Sequence, residues 1–306
     1  MSEIDPHHVA FIGFGEVGRT FSQGLVDAGY RVTAYDLLLE TAESAKAITT
    51  KAEALGVAIA GSAAAAAGGA QVVISAVTAS SANEVAKQGA DYLRPHQLFL
   101  DVNSVSPNTK RANAAAVERS GAHYVEAAVM APVAPSGLRV PILLGGKHAA
   151  ALKEALAPAR MNLEIASEQI GKASAIKMCR SIVVKGLEAI TVECLLTARH
   201  YGVEDDILTS LDKSYPGFGW EKRAGYFIGR TVEHGRRRAA EMREAAATIA
   251  ETGLDPLMAA ATAERQDWVA DRAAAAPDMK RFKDSEWRAV LDAIVAAVSK
   301  GMQRAG

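Results

Sequence analysis

The segment from Gly171 to His200 most constrains what this chain can fold into, because it has a continuous helical pattern. It contains no proline and one interior glycine, Gly186. At about 1.5 Å per residue the helix would be roughly 45 Å long, more than the diameter of a small domain. We therefore predict that it leaves one domain and begins another. Residues 1–170 would form the first domain and residues 171–306 the second.

The surface of this helix is mostly apolar, so we expect it to be buried on most sides, with Ile176, Val183 and Ile190 inside. One polar stripe remains, at spacings of four, four and three residues: Lys177, Ser181, Lys185 and Glu188. Side chains at these spacings lie on one face of a helix. A lysine there either extends its stem along apolar surface to reach water or has a function. The upstream sequence favours a function.

The sequence GFGEVG, whose glycines are Gly13, Gly15 and Gly18, follows a short apolar run ending at Ile12. A helical segment and a second strand come next, in the order of a dinucleotide-binding βαβ unit. The three glycines permit a tight turn, close approach of the backbone to a pyrophosphate, and close helix packing. Asp36 ends the second strand, where a carboxylate can bind the ribose on the adenine side.

These features predict a nicotinamide dinucleotide as cofactor. The candidate cofactor-binding residues are Gly13, Phe14, Gly15, Glu16, Val17, Gly18, Asp36, Val77, Thr78 and Asn103. We expect NAD rather than NADP, because Asp36 would repel a 2′-phosphate and residues 37–39 are all leucine, without a compensating cation. NADP is the alternative.

The alternation of strands and helices from His8 to Ile165 predicts an α/β Rossmann fold with a doubly wound parallel sheet. Beyond the long helix every segment has a helical pattern, which predicts an all-α second domain. Within it we predict two separate helices at residues 220–234 and 236–251.

The composition is typical of a cytoplasmic globular protein. Of 306 residues 49% are hydrophobic, and the net charge of −1 favours neither nucleic acid nor a membrane as partner. The N-terminal residues lack the basic start and apolar core of a signal peptide. Cys179 and Cys194 would lie roughly 22 Å apart on one helix, so we expect free thiols. The histidines lack metal-ligand spacing, and we predict no metal.

With these residues in place, the chain resembles the β-hydroxyacid dehydrogenase family, which includes 3-hydroxyisobutyrate and 6-phosphogluconate dehydrogenases. In that family an aspartate, two hydroxyl residues and a proline lie near the nicotinamide. Residues 101–107 match this pattern, with Asn103 at the third position and Ser104 after it. The family's long interdomain helix begins with a glycine and carries the catalytic lysine, which correspond here to Gly171 and Lys177.

Several substrate-binding positions of the family differ in this chain. Met130 stands at the position of a loop serine and Pro132 at that of a glycine. Arg180 and Ser181 replace two asparagines that follow the catalytic lysine. The family's later lysine is also missing, unless one of Arg236 to Arg238 substitutes for it, and these arginines fit a solvated helix start as well. The chain thus resembles a divergent, phosphogluconate-dehydrogenase-like branch.

The predicted chemistry is hydride transfer between the nicotinamide and a hydroxy acid or alcohol, with Lys177 as general acid or base. A lysine titrates near 10.4, so an apolar surrounding must lower its pKa for this role near neutrality. The nearby charge of Arg180 would act in the same direction, or Arg180 would bind a substrate carboxylate. The candidate substrate-binding residues are Asn103, Ser104, Met130, Arg180 and Ser181.

Two other functions stay open. An imine reductase would use the same cofactor, although such enzymes typically replace the lysine, and a nucleotide-sensing protein would need no proton donor. We further expect a homodimer, because the helical region has more apolar surface than one subunit can cover. Met130 and Pro132 predict a bulkier or more apolar substrate than the small hydroxy acids typical of the family. The sequence identifies neither the substrate nor the direction of the reaction.

Overall fold

The computed structural model describes residues 4–305, with side chains up to residue 298. The chain divides into two compact units, one ending at Lys177 and the other beginning at Met178. This division falls inside the long helix, which spans Lys172–Tyr201. None of the described helices is both long and apolar enough to cross a membrane.

The first unit is built on one eight-stranded sheet with the order β3-β2-β1-β4-β5-β6-β7-β8. The strands are β1 (Asp5–Ile12), β2 (Arg31–Tyr35), β3 (Ala58–Ile59), β4 (Ala70–Ser75), β5 (Leu98–Asp101), β6 (His123–Val129), β7 (Ile142–Gly145) and β8 (Leu163–Ser167). Strands β1 to β6 are parallel, as predicted. The expectation of a parallel sheet is wrong for β7, which pairs antiparallel with β6. Strand β8 then pairs parallel with β7.

Helices cover both faces of this sheet. They are α1 (Glu16–Asp27), α2 (Ala42–Ala54), α3 (Ala63–Ala67), α4 (Ala79–Tyr92), α5 (Pro107–Val117), α6 (Val133–Ser136), α7 (Ala149–Ala155) and the start of α8 (Lys172–Tyr201). Because side chains alternate along a strand, Val9 and Phe11 join one apolar core while Ala10 and Ile12 join the other. The two cores confirm the doubly wound α/β fold.

The second unit contains the rest of α8 and only helices among its described residues. These are α9 (Glu204–Ser214), α10 (Trp220–Ala250), α11 (Leu257–Ala275) and α12 (Trp287–Ala305). The predicted break between residues 234 and 236 is wrong, since α10 is continuous through Gly235. A Cβ atom on Gly235 would lie 2.6 Å from the carbonyl oxygen of Gln266. This glycine allows α10 and α11 to pack closely and does not end the helix.

The apolar surface of α8 is less buried than predicted. Ile176, Val183 and Ile190 are 40%, 62% and 54% exposed in the single chain, which corrects the expectation that they lie inside. They recur every seven residues and therefore lie along one side of α8, which we call the α8 stripe. Both cysteines are free thiols, as expected.

Candidate active site

The loops that carry the predicted cofactor residues leave the sheet side by side. Ile12 pairs with Ser75, Ser75 with Asp101, and Asp101 with Glu126, so these residues form one row across four parallel strands. The loops that follow β1, β4 and β5 therefore begin at the same carboxyl edge of the sheet. In open parallel sheets this edge is where ligands bind.

The glycine loop has the geometry that a dinucleotide requires. Gly13 has a φ of +95°, and a Cβ atom there would overlap the carbonyl of Ala76. A Cβ on Gly18 would lie 2.5 Å from the carbonyl oxygen of Gly13, whereas one on Gly15 would have no atom within 4 Å. Gly13 and Gly18 are thus needed for packing, while Gly15 faces open space at the start of α1. Among the described residues no side chain caps this helix end, whose N–H groups suit a phosphate.

Asp36 ties the glycine loop to the end of β2. Its Oδ2 accepts a hydrogen bond of 2.7 Å from the Phe14 N–H, and its Oδ1 accepts one of 2.9 Å from the Leu38 N–H. Leu37 and Leu38 are largely exposed beside it. The carboxylate therefore has a fixed orientation at the place where the sequence predicts the adenine-side ribose.

Asn103 orders the loops after β4 and β5. Its Oδ1 accepts a 2.8 Å hydrogen bond from the Val77 N–H, and its amide group donates to Ser75 Oγ at 2.9 Å and to Asp101 Oδ1 at 2.8 Å. Both amide protons are thus donated within the protein, and the residue is buried. These bonds give Asn103 a part in ordering the loops, and its role in binding substrate or cofactor stays a prediction. Asn103 holds the turn of Val77 and Thr78, which begins α4.

A buried ionic network beneath these loops was not predicted. The Lys110 Nζ lies 3.0 Å from Asp101 Oδ1 and donates to the Asp101 carbonyl at 2.7 Å. Asp101 Oδ2 accepts from the Tyr124 hydroxyl at 2.7 Å and from the Asn113 amide at 3.0 Å. Lys110 and Asn113 are fully buried. The sequence places Asp101 in the matched 101–107 pattern, but Lys110 stands next to Arg111 in α5, where a pair of basic residues is typical of an exposed helix face.

Lys177 lies in the second turn of α8 and contacts the carboxyl edge of the sheet. Its Nζ donates a hydrogen bond to Ser104 Oγ, and both side chains are half-buried. Ser104 follows β5 directly after the Asn103 turn. The structure therefore brings together Lys177, Ser104, Asn103 and the Val77 turn within the first unit.

The other predicted substrate residues have different surroundings. Met130 follows β6, is half-buried, and donates its N–H to the Pro141 carbonyl at 2.9 Å. Arg180 is exposed, whereas Ser181 is buried and accepts a 2.9 Å hydrogen bond from Lys185 Nζ. Arg180 and Ser181 belong to the second unit. Their role beside Lys177 stays a prediction.

The polar stripe of α8 continues in the second unit as a buried charged cluster. Lys185 Nζ lies 2.9 Å from Glu241 Oε2, and an Arg238 nitrogen lies 2.9 Å from Glu188 Oε1. Glu188 also accepts a 3.1 Å hydrogen bond from Gln266. Burial raises the pKa of the Glu188 carboxyl, although the Arg238 charge opposes the shift. The three predicted arginines therefore differ: Arg238 is buried here, while Arg236 and Arg237 are exposed.

Comparisons with known proteins agree with this geometry. Residues 8–157 match the family described as the NAD binding domain of 6-phosphogluconate dehydrogenase, and residues 198–269 match a domain of unknown function, DUF1932. The chain is 29% identical to the 3-hydroxyisobutyrate dehydrogenase of Pseudomonas aeruginosa over 225 residues. The matched region is 69% of this chain and 71% of that enzyme.

Two solved structures extend the likeness over both units. A conserved hypothetical protein from Sinorhizobium meliloti 1021 is 36% identical, with a TM-score of 0.76 over 96% of this chain and 97% of that one. A conserved protein of unknown function, described as structurally similar to 3-hydroxyacid dehydrogenases, is 31% identical. Its TM-score is 0.69 over 86% of this chain and 97% of that one. The chain therefore belongs to the β-hydroxyacid dehydrogenase family.

Proposed function

We propose that this protein is an NAD-dependent dehydrogenase that transfers hydride between the nicotinamide and a hydroxy acid, with Lys177 as general acid or base. The observation that carries the proposal is the hydrogen bond between Lys177 and Ser104 at the carboxyl edge of the sheet. The same edge carries the open glycine loop. A proton-transferring amine and a cofactor loop at one edge are what this reaction needs.

In the oxidative direction a bound NAD would supply the acceptor for the hydride of the alcohol carbon. The residues that would hold it are the glycine loop, Asp36 and the Val77 turn. The neutral Lys177 amine removes the proton of the substrate hydroxyl, so the alcohol becomes a carbonyl and the amine becomes an ammonium. Ser104 accepts a hydrogen bond from Lys177 and thereby keeps its Nζ directed at the sheet edge. In the reverse direction Lys177 returns the proton to the new hydroxyl.

The test is a panel of small, branched and aromatic hydroxy acids with NAD and NADP, followed by absorbance of the reduced nicotinamide. Lys177→Met should abolish turnover while leaving NADH binding unchanged, because Lys177 is not part of the glycine loop. A variant that keeps normal turnover would refute the role of Lys177. A chain that binds NADH but oxidises no compound of the panel would favour a nucleotide-sensing protein.

We propose NAD as the preferred cofactor, supported by the fixed Asp36 carboxylate and its exposed leucine neighbours. A 2′-phosphate would meet this carboxylate without a compensating cation from residues 37–39. The Michaelis constant should therefore be lower for NAD than for NADP, and Asp36→Ala should reduce the difference. A lower constant for NADP in the unmodified protein would contradict this preference.

We also propose a substrate that is bulkier or more apolar than 3-hydroxypropionate. Met130 is a flexible apolar side chain at the end of β6, and Pro132 removes a backbone donor from the same loop. Each methylene that the substrate buries there would contribute about 0.8 kcal/mol. Catalytic efficiency should rise with side-chain size across the panel, and Met130→Ser should weaken this trend. Small substrates that outperform branched and aromatic ones would refute it.

We propose that the protein is a homodimer in which the α8 stripe is covered by a second copy. Ile176, Val183 and Ile190 expose apolar surface at heptad spacing, as in helices that pack against another helix. Val183→Asp should give a monomer by light scattering at micromolar concentration. Glu164→Gln, at an exposed position of β8, is the control and should stay dimeric. A stable monomer of the unmodified protein would refute the dimer.

A further inference from the structure

Glu126 is a fully buried carboxylate that lies in the middle of β6. Its Oε1 accepts hydrogen bonds from the Gly171 N–H at 2.8 Å and the Ala173 N–H at 3.0 Å. Its Oε2 accepts a 3.0 Å hydrogen bond from the Ser174 hydroxyl. All three donors belong to the start of α8. A side chain from a strand more than forty residues earlier therefore caps the long helix.

The cap satisfies groups that a helix start cannot satisfy itself. The first N–H groups of an α-helix have no partner within the helix, and its positive dipole end favours an anion. A buried carboxylate, in turn, needs donors that replace water. Glu126 and the start of α8 thus meet each other's requirements inside the first unit.

The surrounding backbone is shaped to fit this side chain. A Cβ atom on Gly145, in the neighbouring strand β7, would overlap the Glu126 carboxyl group. Gly171 has a φ of +99°, a conformation that favours glycine and turns its N–H toward Glu126. Glu126 also lies in the strand row next to Asp101. The helix start is therefore fixed against the strands whose loops form the candidate active site.

Lys177 follows Ala173 by one helical turn, so the position of its Cα depends on how the start of α8 is held. We propose that Glu126 is a positioning residue that holds Lys177 against Ser104 by capping α8. This proposal rests on the proposed function of Lys177. Glu126, a buried residue of β6, would thus contribute to the reaction although it lies far from Lys177 in the sequence.

Three variants separate the geometry of the cap from its charge. In Glu126→Gln the amide oxygen can still accept from both N–H groups, and the amide nitrogen can donate to Ser174, so the cap is kept without its charge. Glu126→Ala removes both the contacts and the charge. Glu168→Gln is the matched control, because Glu168 is an exposed acid three residues before Gly171.

Turnover, NADH affinity and the reactivity of Lys177 would be measured for each variant. Glu126→Ala should lower kcat by about 100-fold, the cost of a small misplacement of a catalytic group, with NADH affinity unchanged. Glu126→Gln should retain most of the turnover. NADH affinity that stays unchanged in Glu126→Ala would distinguish this loss of turnover from a general loss of folding.

Lys177 itself can be followed without any substrate, by competitive acetylation with acetic anhydride and peptide mass spectrometry across pH. Glu126→Ala should change the reactivity of Lys177, because the start of α8 would no longer hold its amine against Ser104, and Glu126→Gln should leave it close to that of the unmodified protein. Glu168→Gln should leave it unchanged. If Glu126→Ala turns over normally while Lys177→Met is inactive, the positioning role is refuted and the proposed function stands. If Lys177→Met is active, the proposed function fails first, and the positioning role fails with it.

Discussion

The buried charged clusters of the two units differ in how completely their polar atoms are bonded. In the first unit both oxygens of Asp101 accept hydrogen bonds, from Asn103, Asn113 and Tyr124, and Lys110 lies within 3.0 Å. In the second unit Arg238 Nε and Gln266 Oε1 have no hydrogen-bond partner among the described residues. A fully bonded polar network is rigid, whereas a partly bonded one costs free energy.

The pKa shifts of the two carboxyls follow this difference. Burial acts to raise the pKa of Asp101, but the Lys110 charge and the hydrogen bonds from Tyr124 and Asn113 outweigh it and lower that pKa. Burial also raises the pKa of Glu188, and there the attraction of Arg238 does not outweigh it. The first cluster therefore stabilises its ionised carboxylate and supports the cofactor loops. We expect the second cluster to contribute little to the free energy of unfolding.

The largest expected effect comes from breaking the first cluster. Lys110→Met should lower the free energy of unfolding by about 3–5 kcal/mol, because it leaves the buried Asp101 without its cation. Urea denaturation measures the change. Lys87→Met, at an exposed lysine of α4, is the control and should have little effect. Equal stability of the two variants would mean that the Asp101 network does not hold the first unit together.

The second cluster should respond in the opposite way. A triple variant should be at least as stable as the unmodified protein, with a free energy of unfolding that is unchanged or higher by at most about 4 kcal/mol. It combines Glu188→Leu, Arg238→Met and Gln266→Met. Arg238→Met alone should be destabilising, because Glu188 then stays buried without its cation. All three tryptophans, Trp220, Trp268 and Trp287, belong to the second unit, so their fluorescence reports its unfolding. If the triple variant is as unstable as Arg238→Met alone, the second cluster stabilises the protein as the first one does, and the two clusters do not differ in this respect.

The sequence predicted the parts of the site that are encoded locally. The glycine loop, Asp36 and Lys177 each belong to a short pattern whose spacing carries its structural meaning. The structure in addition places Lys177 beside Ser104. The α/β fold followed from the same alternation of segments. These elements could be predicted because neighbours in the sequence determine their geometry.

The parts that were missed depend on contacts between distant segments. Glu126 and Gly171 are far apart in the sequence, and the hydrogen bond from the Gly171 N–H to Glu126 Oε1 shows that they meet. The break predicted at Gly235 is wrong, because this glycine admits a neighbouring helix and does not turn the chain. The bonds from Asn103 to Ser75 and Asp101 belong to the same group, because the 101–107 pattern alone does not show which atoms accept its amide protons.

A smaller effect concerns the pH dependence of the two clusters. The stabilisation that Asp101 provides is present above its ordinary pKa of 3.8 and is lost as pH falls through its lowered pKa in the folded protein. The stabilisation that Glu188 provides is present below its ordinary pKa of 4.5 and is lost as pH rises through its raised pKa in the folded protein. The loss of stability caused by Asp101→Asn should therefore shrink on acidification, and that caused by Glu188→Gln should shrink as pH rises. Urea denaturation at several pH values tests this, and equal slopes would contradict it.

The smallest expected effect lies at the amino end of β6, where the first unit contains side chains that repel each other when protonated. The rings of His123 and His148 stack with centroids 3.7 Å apart, and His96 lies 5.5 Å from His123. Burial lowers the pKa of His123, and the two neighbouring imidazoles add to the shift. The unfolded chain, with an ordinary pKa of 6.5, therefore binds more protons than the folded one as pH falls.

This contribution to stability is present above pH 6.5 and is lost as pH falls through the lowered pKa of His123. His123→Phe keeps an aromatic ring in the stack but cannot bind a proton, so it should flatten the decline of stability under mild acid. His7→Asn is the control, because His7 is exposed and lies outside this stack. Thermal unfolding at neutral and mildly acidic pH would measure both variants. If the unfolding temperature of His123→Phe falls with pH as steeply as that of the unmodified protein, protonation of the stacked histidines does not cause the loss of stability. The polar groups at this end of the sheet would then be as fully compensated as those around Asp101.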